Sequence, residues 1–586
     1  MMHLCTGTRV DNHPTSVYRV QTPNQLGRLE EEACEYTNRR SQFSDWFPAP
    51  FTLGRLGMRL VGGCRHQERA SSSSALLRVL RRVVVVALLA GLLGGAFAAD
   101  LVIAVNSPTT TADPSIGNSV PHQRILTATY ETLLGIELGG SDLVPVLATE
   151  WQANEDRTSF TFTIREGVTF HDGSMLDAEA VKRAFERTLA IGQGESYLIA
   201  AIDEMTVEST YRLRVDLSRP QPEFLYAMTR MFIMSPAAVS NEADGDDLAR
   251  GWFATNTAGT GPFTVSEWVD GQRYVLDRHE AYWRGWDNPH VDRIIFRIVV
   301  EPATQRLLLE SGEVHVAENV ALSDLVTLQT NPNVQVLRYP SPRPFYVAFH
   351  TQRSPLDNVL VRRAIAYALD YAAAIDVGLS GYGSPMRGPV PEQFPGFNEE
   401  LGVGVFDLDR ARELLTEAGY PGGGFNLTFL HLEHWLFTRA VGLLLQDALD
   451  QIGIGLTIEG QPWATMTARM ADREQAPDLV MYAQSTATPS ALTILDPMYR
   501  STSNHWSHFW YENPDVDALL DAAAAEVDDA RRNEIYQQIQ RIIYDDQPAI
   551  FTFSQDEVVT MRANVRGYQP QLTWSRMLNW YDIHIE

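Results

Sequence analysis

The sequence predicts an α/β protein built as two lobes, and three observations support this fold class. Predicted strands and helices alternate in the second half of the chain, as they do in α/β units with a parallel sheet. Short runs with the periodicity of strands also occur through the first half. The 488 residues that follow a predicted export signal are enough for two or three folded units.

The first half contains several strand patterns and one clear helix. The apolar run 101–105 predicts a buried strand, and 159–165 (SFTFTIR) alternates apolar and polar residues as a half-buried strand does. Residues 177–189 start with the N-cap residue Asp177 and repeat apolar side chains every four residues, which predicts a helix. An amphipathic segment is predicted near 124–134, and further strands are predicted at 211–217, 274–276 and 293–300.

The second half has longer helical patterns between short apolar strands. The order strand, helix, strand from residue 426 onwards favours a parallel arrangement of the strands. Strands are predicted at 426–432, 456–459, 479–482 and 550–553, and helices at 361–369, 411–418, 437–451, 516–525 and 531–544.

Residues 74–100 have the pattern of a secretory signal. Arginines precede an apolar run that starts at Val83, and the run ends in small residues with an A-x-A cleavage pattern at 96–98. The run is too short for a membrane span. We therefore expect a signal peptide at 58–98 and a periplasmic mature protein. Met58 is the hypothesised start of translation, which would make 1–57 a non-native or disordered extension.

Composition excludes several classes of function. All three cysteines precede the predicted cleavage site, so disulfides, thiol chemistry and a cysteine-linked lipid anchor are not expected in the mature part. Residues 99–586 contain 35 basic and 66 acidic residues, a formal net charge of −31, which would repel nucleic acid and anionic lipid. The single lysine, Lys182, has no glycines before it, so a phosphate-binding loop is not predicted. No cofactor is predicted.

Several stretches along the predicted mature chain resemble one family in their sequence and order. They resemble the exported solute-binding proteins of peptide, opine and nickel ABC importers, bacterial solute-binding protein family 5. The stretches are LATEW (147–151), FTFTIREGVTFHDGSMLDAEAV (160–181), GTGPF (259–263), FYVAFHTQRSPLDNVLVRRAIAYALD (345–370), GPVP (388–391), FDLDRARELLTEAGYP (406–421) and YENPDVDALLDAAAAEVDDARRNEIYQQIQRII (511–543).

The resemblance implies a type II periplasmic binding protein fold with two α/β lobes joined by a hinge. Lobe 1 is expected at 99–340, with 556–586 returning to it, and lobe 2 at 341–555. The implied function is that of the substrate-binding component of an ABC importer, which captures a peptide-like or other small organic solute between the lobes and delivers it to the permease. The implied partners are the permease and ATPase subunits; the protein is expected to be monomeric and not an enzyme.

The resemblance also suggests where a ligand would bind. Peptide-binding relatives hold the ligand's amino terminus with an aspartate after the strand at 479–482, and here no acid follows until Asp496. Dipeptide binders place an arginine beyond the strand at 426–432, where this chain has Glu-His-Trp at 433–435. A desolvated ligand charge without a partner is costly, which argues against a zwitterionic dipeptide. The candidate ligand contacts are Glu433, Trp435, Tyr482, Gln484 and Trp506.

These polar, aromatic and acidic side chains suit a sugar-like, aromatic or cationic solute. Longer peptides held through their backbone remain open. The identity of the ligand, the binding of a metal chelate and service to a chemosensory receptor are also left open by the sequence.

The sequence also allows two alternatives to an organic-solute carrier. His431 and His434, with Glu433 between them, are weak candidate metal ligands for a metal-chelate or nickel-type carrier, as are His505 and His508. Ordinary polar or packing roles explain the same histidines. An exported hydrolase is the second alternative, but Ser380 in GLSGYG lacks the spacing of a nucleophile elbow. The stretches 170–173 and 259–263 are interpreted as turns.

Overall fold

The buried strand predicted at 101–105 lies in the middle of a seven-stranded sheet in the computed structural model of the chain. The structure describes residues 99–484, 488–502, 510–570 and 579–586, so the predicted signal peptide and 1–57 lie outside the described residues. In spatial order this first sheet consists of β12 (Val334–Tyr339), β19 (Glu557–Arg562), β11 (Val316–Ala317), β1 (Asp100–Val105), β10 (Arg293–Ile298), β9 (Arg273–Arg278) and β8 (Phe263–Val269). β1 is parallel to β10 and β11, and the other neighbours are antiparallel.

A smaller antiparallel sheet is formed by residues between β1 and β8. In spatial order it contains β4 (Ala148–Ala153), β5 (Ser159–Ile164), β7 (Arg212–Leu217) and β6 (Ile202–Ser209). The apolar face of β5 packs with the predicted helix, Ala178–Ile191, in one buried cluster. That helix begins where the sequence predicts, because the Asp177 carboxylate accepts a hydrogen bond from the Ala180 amide at 2.8 Å and so caps its first turn.

A second large sheet is built from the second half of the chain. In spatial order it contains β14 (Gly383–Pro385), β18 (Ala549–Gln555), β13 (Pro344–Phe349), β17 (Leu479–Ala483), β15 (Phe425–Leu432) and β16 (Ile454–Gln461). β15 is parallel to both β16 and β17, as the sequence predicts. β13 is antiparallel to β17 and β18, so the parallel arrangement extends over only half of the sheet.

Helices cover these sheets, and the predicted ones are confirmed to within a few residues at each end. The helices of the described residues are α1 (Val120–Thr129), α2 (Ala178–Ile191), α3 (Phe224–Ala227), α4 (Pro236–Glu242), α5 (Arg250–Phe253), α6 (Pro302–Ser311), α7 (Leu325–Leu328), α8 (Val359–Tyr367), α9 (Tyr371–Ala373), α10 (Leu408–Glu417), α11 (Leu436–Asp450), α12 (Trp463–Met470), α13 (Leu492–Tyr499), α14 (Pro514–Ala525) and α15 (Asp529–Asp546). The remaining short strands are β2 (Leu134–Ile136), β3 (Leu143–Pro145), β20 (Val565–Arg566) and β21 (His584–Ile585). Among the described helices, none combines the length and the apolar composition that crossing a membrane requires.

The chain passes between the two large sheets twice. It leaves β12 at Tyr339 and enters β13 at Pro344, and it returns from β18 to β19 through Asp556. An ion pair between Arg338 Nε and Asp556 Oδ2, at 2.5 Å, joins the end of β12 to the returning segment. The two crossing segments, 340–343 and Asp556, bring one edge of each sheet close to the other.

Candidate functional site

The three parallel strands of the second sheet are β15, β16 and β17, and their carboxyl ends lie at one edge. Predicted ligand contacts follow two of these strands. Glu433 and Trp435 follow β15, and Gln484 follows β17. β13 runs antiparallel to β17 and therefore begins at this same edge, where Arg343 precedes it. Because ligand sites of α/β sheets lie at the carboxyl ends of parallel strands, this edge is the candidate site.

Trp435 is the aromatic centre of the edge. Its half-buried ring packs edge-on against Phe345, with the centroids 5.7 Å apart, and stacks on Phe437 at 5.8 Å. The guanidinium carbon of Arg343 lies 5.4 Å from the Trp435 centroid and 5.6 Å from that of Phe345. Cation–π contacts of this kind hold the guanidinium at the edge of the sheet.

Glu433 and Gln484 are held at the edge by their backbones. The Glu433 amide donates to the Gln461 carbonyl at 3.0 Å, and its side chain is exposed. The Gln484 amide donates to the Pro344 carbonyl at 3.1 Å, and its side chain is half-buried. Gln484 therefore follows the strand next to that of Arg343, and Glu433 follows the strand beyond it.

Tyr482 lies one residue before the end of β17, and its surroundings are those of a core residue. Its side chain is 2% exposed and packs against Tyr346 with the ring centroids 6.1 Å apart. Burial raises the pKa of its hydroxyl well above the ordinary value. This burial favours a packing role, and its predicted contact with a ligand stays a prediction.

The remaining predicted residues include the candidate metal ligands. His431 is buried, and its Nδ1 lies 3.2 Å from Thr438 Oγ1 and 3.1 Å from the Leu432 carbonyl, while His434 is exposed. Burial lowers the pKa of His431. Within the described residues, no group of three or more His, Cys, Asp or Glu side chains could hold a metal ion. Trp506, His505 and His508 lie outside the described residues.

The first sheet meets this edge at the crossing segments. A small cavity there is lined by both large sheets and by the segments themselves, with Glu318, Ser341, Arg343, Gln555 and Asp556 among its polar residues. The cavity holds about 30 Å³, room for about two water molecules. The two edges are therefore closely apposed at this point.

Glu318 lines the cavity on the side of the first sheet and forms a buried ion pair with Arg124. Arg124 Nε donates to Glu318 Oε1 at 2.8 Å, and the Arg124 Nη1 donates to the Ser107 carbonyl at 3.0 Å. Both charged side chains are less than a tenth exposed. The Glu318 charge is thus matched by Arg124.

The sequence of this chain matches a family model along most of its described length. The model describes the middle region of the bacterial extracellular solute-binding proteins, family 5, and it matches residues 142–506. The chain belongs to this family. It is the solute-binding component of an ABC importer.

Curated relatives of this solute-binding protein match it over nearly all of their own length. DdpA of Escherichia coli K12, described as a probable D,D-dipeptide-binding periplasmic protein, is 31% identical over 482 residues, which cover 80% of this chain and 91% of DdpA. The glutathione-binding protein GsiB of Pectobacterium atrosepticum is 28% identical over 481 residues and covers 80% of this chain and 91% of GsiB.

Solved structures show that the solute-binding protein has the bilobal fold of type II periplasmic binding proteins. CtaP of Listeria monocytogenes has a TM-score of 0.76 at 22% identity and covers 83% of this chain and 99% of its own. DppA of Helicobacter pylori, in complex with the peptide STSA, has a TM-score of 0.70 at 23% identity and covers 84% of this chain and 98% of its own. The predicted family and fold class are confirmed.

The structure adds three residues of this solute-binding protein that the sequence reasoning missed. Arg343 and Gln555 reach the site only because β13 runs antiparallel between β17 and β18, an arrangement that periodicity does not reveal. Trp463 follows β16 at the same edge and is 42% exposed. Its position two residues beyond the end of a parallel strand is the signal that could have found it.

The family stretch around His171 is scaffold in this solute-binding protein, as the sequence interpretation holds. His171 Nε2 donates to the Gly261 carbonyl at 3.0 Å, and Nδ1 accepts from the Gly259 amide at 3.3 Å. Both ring nitrogens are therefore occupied by the turn at 259–263. Burial lowers the pKa of His171 to about 4, so the ring is neutral near pH 7.

Proposed function

We propose that this protein works in the periplasm, after removal of residues 58–98, and captures a peptide-like solute between its lobes. The observation that carries the proposal is the position of Arg343 against Trp435, at the edge where the parallel strands end. The named ligands of DdpA, GsiB and the H. pylori DppA structure, which are dipeptides, glutathione and the peptide STSA, support the same class of solute.

The side chains at the edge offer the contacts that a peptide needs. The Arg343 guanidinium can pair with a carboxylate, an interaction that is stronger than a neutral hydrogen bond. The exposed Glu433 carboxylate can pair with an ammonium group, and the Gln484 amide can both donate to and accept from a peptide bond. The aspartate and the arginine that bind the ligand in dipeptide-binding relatives are both missing from their usual positions here. Other residues at the same edge would therefore bind the charged ends of the peptide.

A sugar-like or cationic solute is the second candidate. Trp435 and the half-exposed Trp463 offer aromatic faces, and Glu433 offers a negative charge for such a ligand. In either case the protein would act as a monomer that presents the loaded, closed lobes to the permease and its ATPase, and it would not change the solute chemically.

The proposal is tested by native mass spectrometry of the protein purified from its own periplasm. We expect an N-terminus at Ala99 and an additional non-covalent mass that fragments as a peptide. A sugar mass would favour the second candidate, and a metal increment would restore the histidine hypothesis. Turnover of generic ester, peptide or glycoside substrates by the purified protein would contradict a pure binding function.

Calorimetric titration then defines the class of peptide. The panel comprises an L,L-dipeptide, a D,D-dipeptide, a tetrapeptide and glutathione, with a neutral disaccharide as the control. Binding of at least one peptide, without binding of the disaccharide, is the expected result. Binding of the disaccharide alone would contradict the peptide assignment.

A further inference from the structure

A second contact between the lobes involves Glu223, in the connection between β7 and α3. The next residue, Phe224, is fully buried in the core of the first lobe, which fixes the backbone at this position. The partners of the Glu223 carboxylate belong to the second lobe: Ser490, Arg532 and Tyr536. Glu223 thus joins parts of the chain that are separated by more than 260 residues.

The Glu223 carboxylate is surrounded by donors. Tyr536 donates its hydroxyl to Glu223 Oε1 at 2.6 Å, and Ser490 Oγ donates to Oε2. Arg532 Nε lies 3.9 Å from Oε1. The Glu223 side chain is 14% exposed, and each of its three partners is less than a tenth exposed. Hydrogen bonds to a charged acceptor in such a shielded place are stronger than those at an exposed surface.

The partners are themselves held by the second lobe. Arg532 pairs with Asp529 at 2.5 Å and donates to the Glu526 carbonyl at 3.1 Å. Burial and the neighbouring Glu223 raise the pKa of the Tyr536 hydroxyl, so it remains a proton donor at any physiological pH. The Arg532 side chain is therefore held by contacts within the second lobe.

Ser490 brings α13 of the second lobe into this contact. It lies in the segment that runs from Gln484, at the end of β17, to the start of α13. Its Oγ accepts a hydrogen bond from the Leu492 amide at 3.1 Å while its hydroxyl donates to Glu223. Ser490 thus joins Glu223 to the N-terminal end of α13.

We propose that Glu223 is a positioning residue that holds the lobes together and fixes Ser490, next to the start of α13, when they are in contact. Only the expected effect on peptide binding rests on the proposed function, because it assumes that the solute is captured between the lobes. The role of Glu223 in holding the lobes together depends on its own contacts alone. A glutamine at this position keeps the size of the side chain but replaces one acceptor oxygen with a donor that faces other donors.

The experiment measures the distance between the lobes in the full chain without added ligand. Two spin labels are attached at Ser209→Cys and Ala518→Cys, which are exposed positions on the first and second lobes, with Cys5, Cys34 and Cys64 changed to serine. Distance distributions from double electron–electron resonance are compared for the parent, Glu223→Gln and Tyr536→Phe. Glu208→Gln is the matched control, because Glu208 is an exposed acid that pairs with Arg212 within the first lobe.

We expect a short-distance population in the parent that falls at least about threefold in Glu223→Gln and in Tyr536→Phe, while Glu208→Gln matches the parent. The double variant should lose little more than either single variant, because both changes remove the same contact. Thermal midpoints within about 2 °C of the parent would show that the lobes themselves are intact. Unchanged distances in Glu223→Gln, or a parent without the short-distance population, would overturn the proposal.

A parallel titration separates this inference from the proposed function. Glutathione and an L,L-dipeptide are added to the parent and to Glu223→Gln under the same conditions. Weaker binding to Glu223→Gln, by about tenfold, is expected. A parent that binds neither peptide would contradict the proposed ligand class, but the ligand-free distances would still decide the role of Glu223.

Discussion

Arg343 is the residue that we propose as a replacement for the ionic anchors of the family. The family's two ionic anchors are missing from their usual positions, and Arg343 lies instead one residue before β13, with its guanidinium against Trp435 and Phe345. Two aromatic contacts reduce the number of conformations that the long side chain can adopt. A guanidinium held in this way loses less entropy when it binds a carboxylate.

We therefore expect Arg343→Gln to weaken the binding of peptides that have a free C-terminal carboxylate by about 10- to 100-fold, from the loss of a charge-assisted hydrogen bond. Calorimetry with a peptide and its C-terminal amide measures the effect. The amide should bind the parent and the variant equally. Arg412→Gln is the matched control, since Arg412 is exposed and pairs with Asp409 on the surface of α10. An equal loss for both forms of the peptide would contradict a carboxylate contact.

At the scale of elements, the turn 259–263 matters because it lets β8 start against the end of α1. The Gly261 amide donates to the Thr129 carbonyl at 3.1 Å. A Cβ atom on Gly261 would lie 2.6 Å from the Thr129 carbonyl carbon and 2.9 Å from the Ala128 carbonyl oxygen. These neighbours are backbone atoms, so they cannot move aside as a flexible side chain could.

Gly261→Ala is expected to lower the free energy of unfolding by about 1–3 kcal/mol, the usual cost of forcing extra volume into packed structure. Scanning calorimetry and urea titration measure the change. Gly251→Ala is the control, because the nearest atom to its Cβ is the flexible Asp247 carboxylate at 3.4 Å. An equal effect of the two substitutions would mean that the close approach at Gly261 carries no special cost.

For the whole molecule, buried and partly buried histidines are expected to make stability depend on pH in the mildly acidic range. Burial is the largest cause of a lowered pKa at each of six positions, and at His171 the pKa falls to about 4. The unfolded chain takes up these protons near pH 6.5, whereas the folded protein takes them up only at lower pH. The six residues are His122, His171, His279, His315, His350 and His431.

The direction in which stability changes with pH follows from this difference in protonation. Between about pH 6.5 and pH 4 the unfolded state binds more protons, so the free energy of unfolding should decrease as the pH falls through this range. Above pH 7 these histidines are neutral in both the folded and the unfolded state, so they do not make the free energy of unfolding depend on pH. Thermal midpoints measured from pH 4.5 to 8 should fall on the acidic side only, and His171→Gln should make that fall shallower. A midpoint that is constant from pH 4.5 to 8 would contradict this account.

The sequence predicts where strands and helices lie along the chain better than it predicts which strands pair with each other. β5, α2, β15 and α11 lie within a few residues of their predicted positions, because each has a strong period or a capping residue such as Asp177. The pairing of β13 with β17 has no such local sign. It joins strands about 130 residues apart in the chain, and it alone brings Arg343 to the ligand edge.

The sequence by itself therefore determined the α/β class, the family, most strands and helices, and the edge residues Glu433, Trp435 and Gln484. These depend on local periodicity, on the order of the motifs and on what the resemblance to the family implies. Only the tertiary structure decided that Tyr482 is buried, that Arg343 lies against Trp435, and that Glu223 meets Ser490 and Tyr536. The reason is physical: burial and contacts between distant segments arise from how the sheets and lobes pack, and no local pattern encodes them.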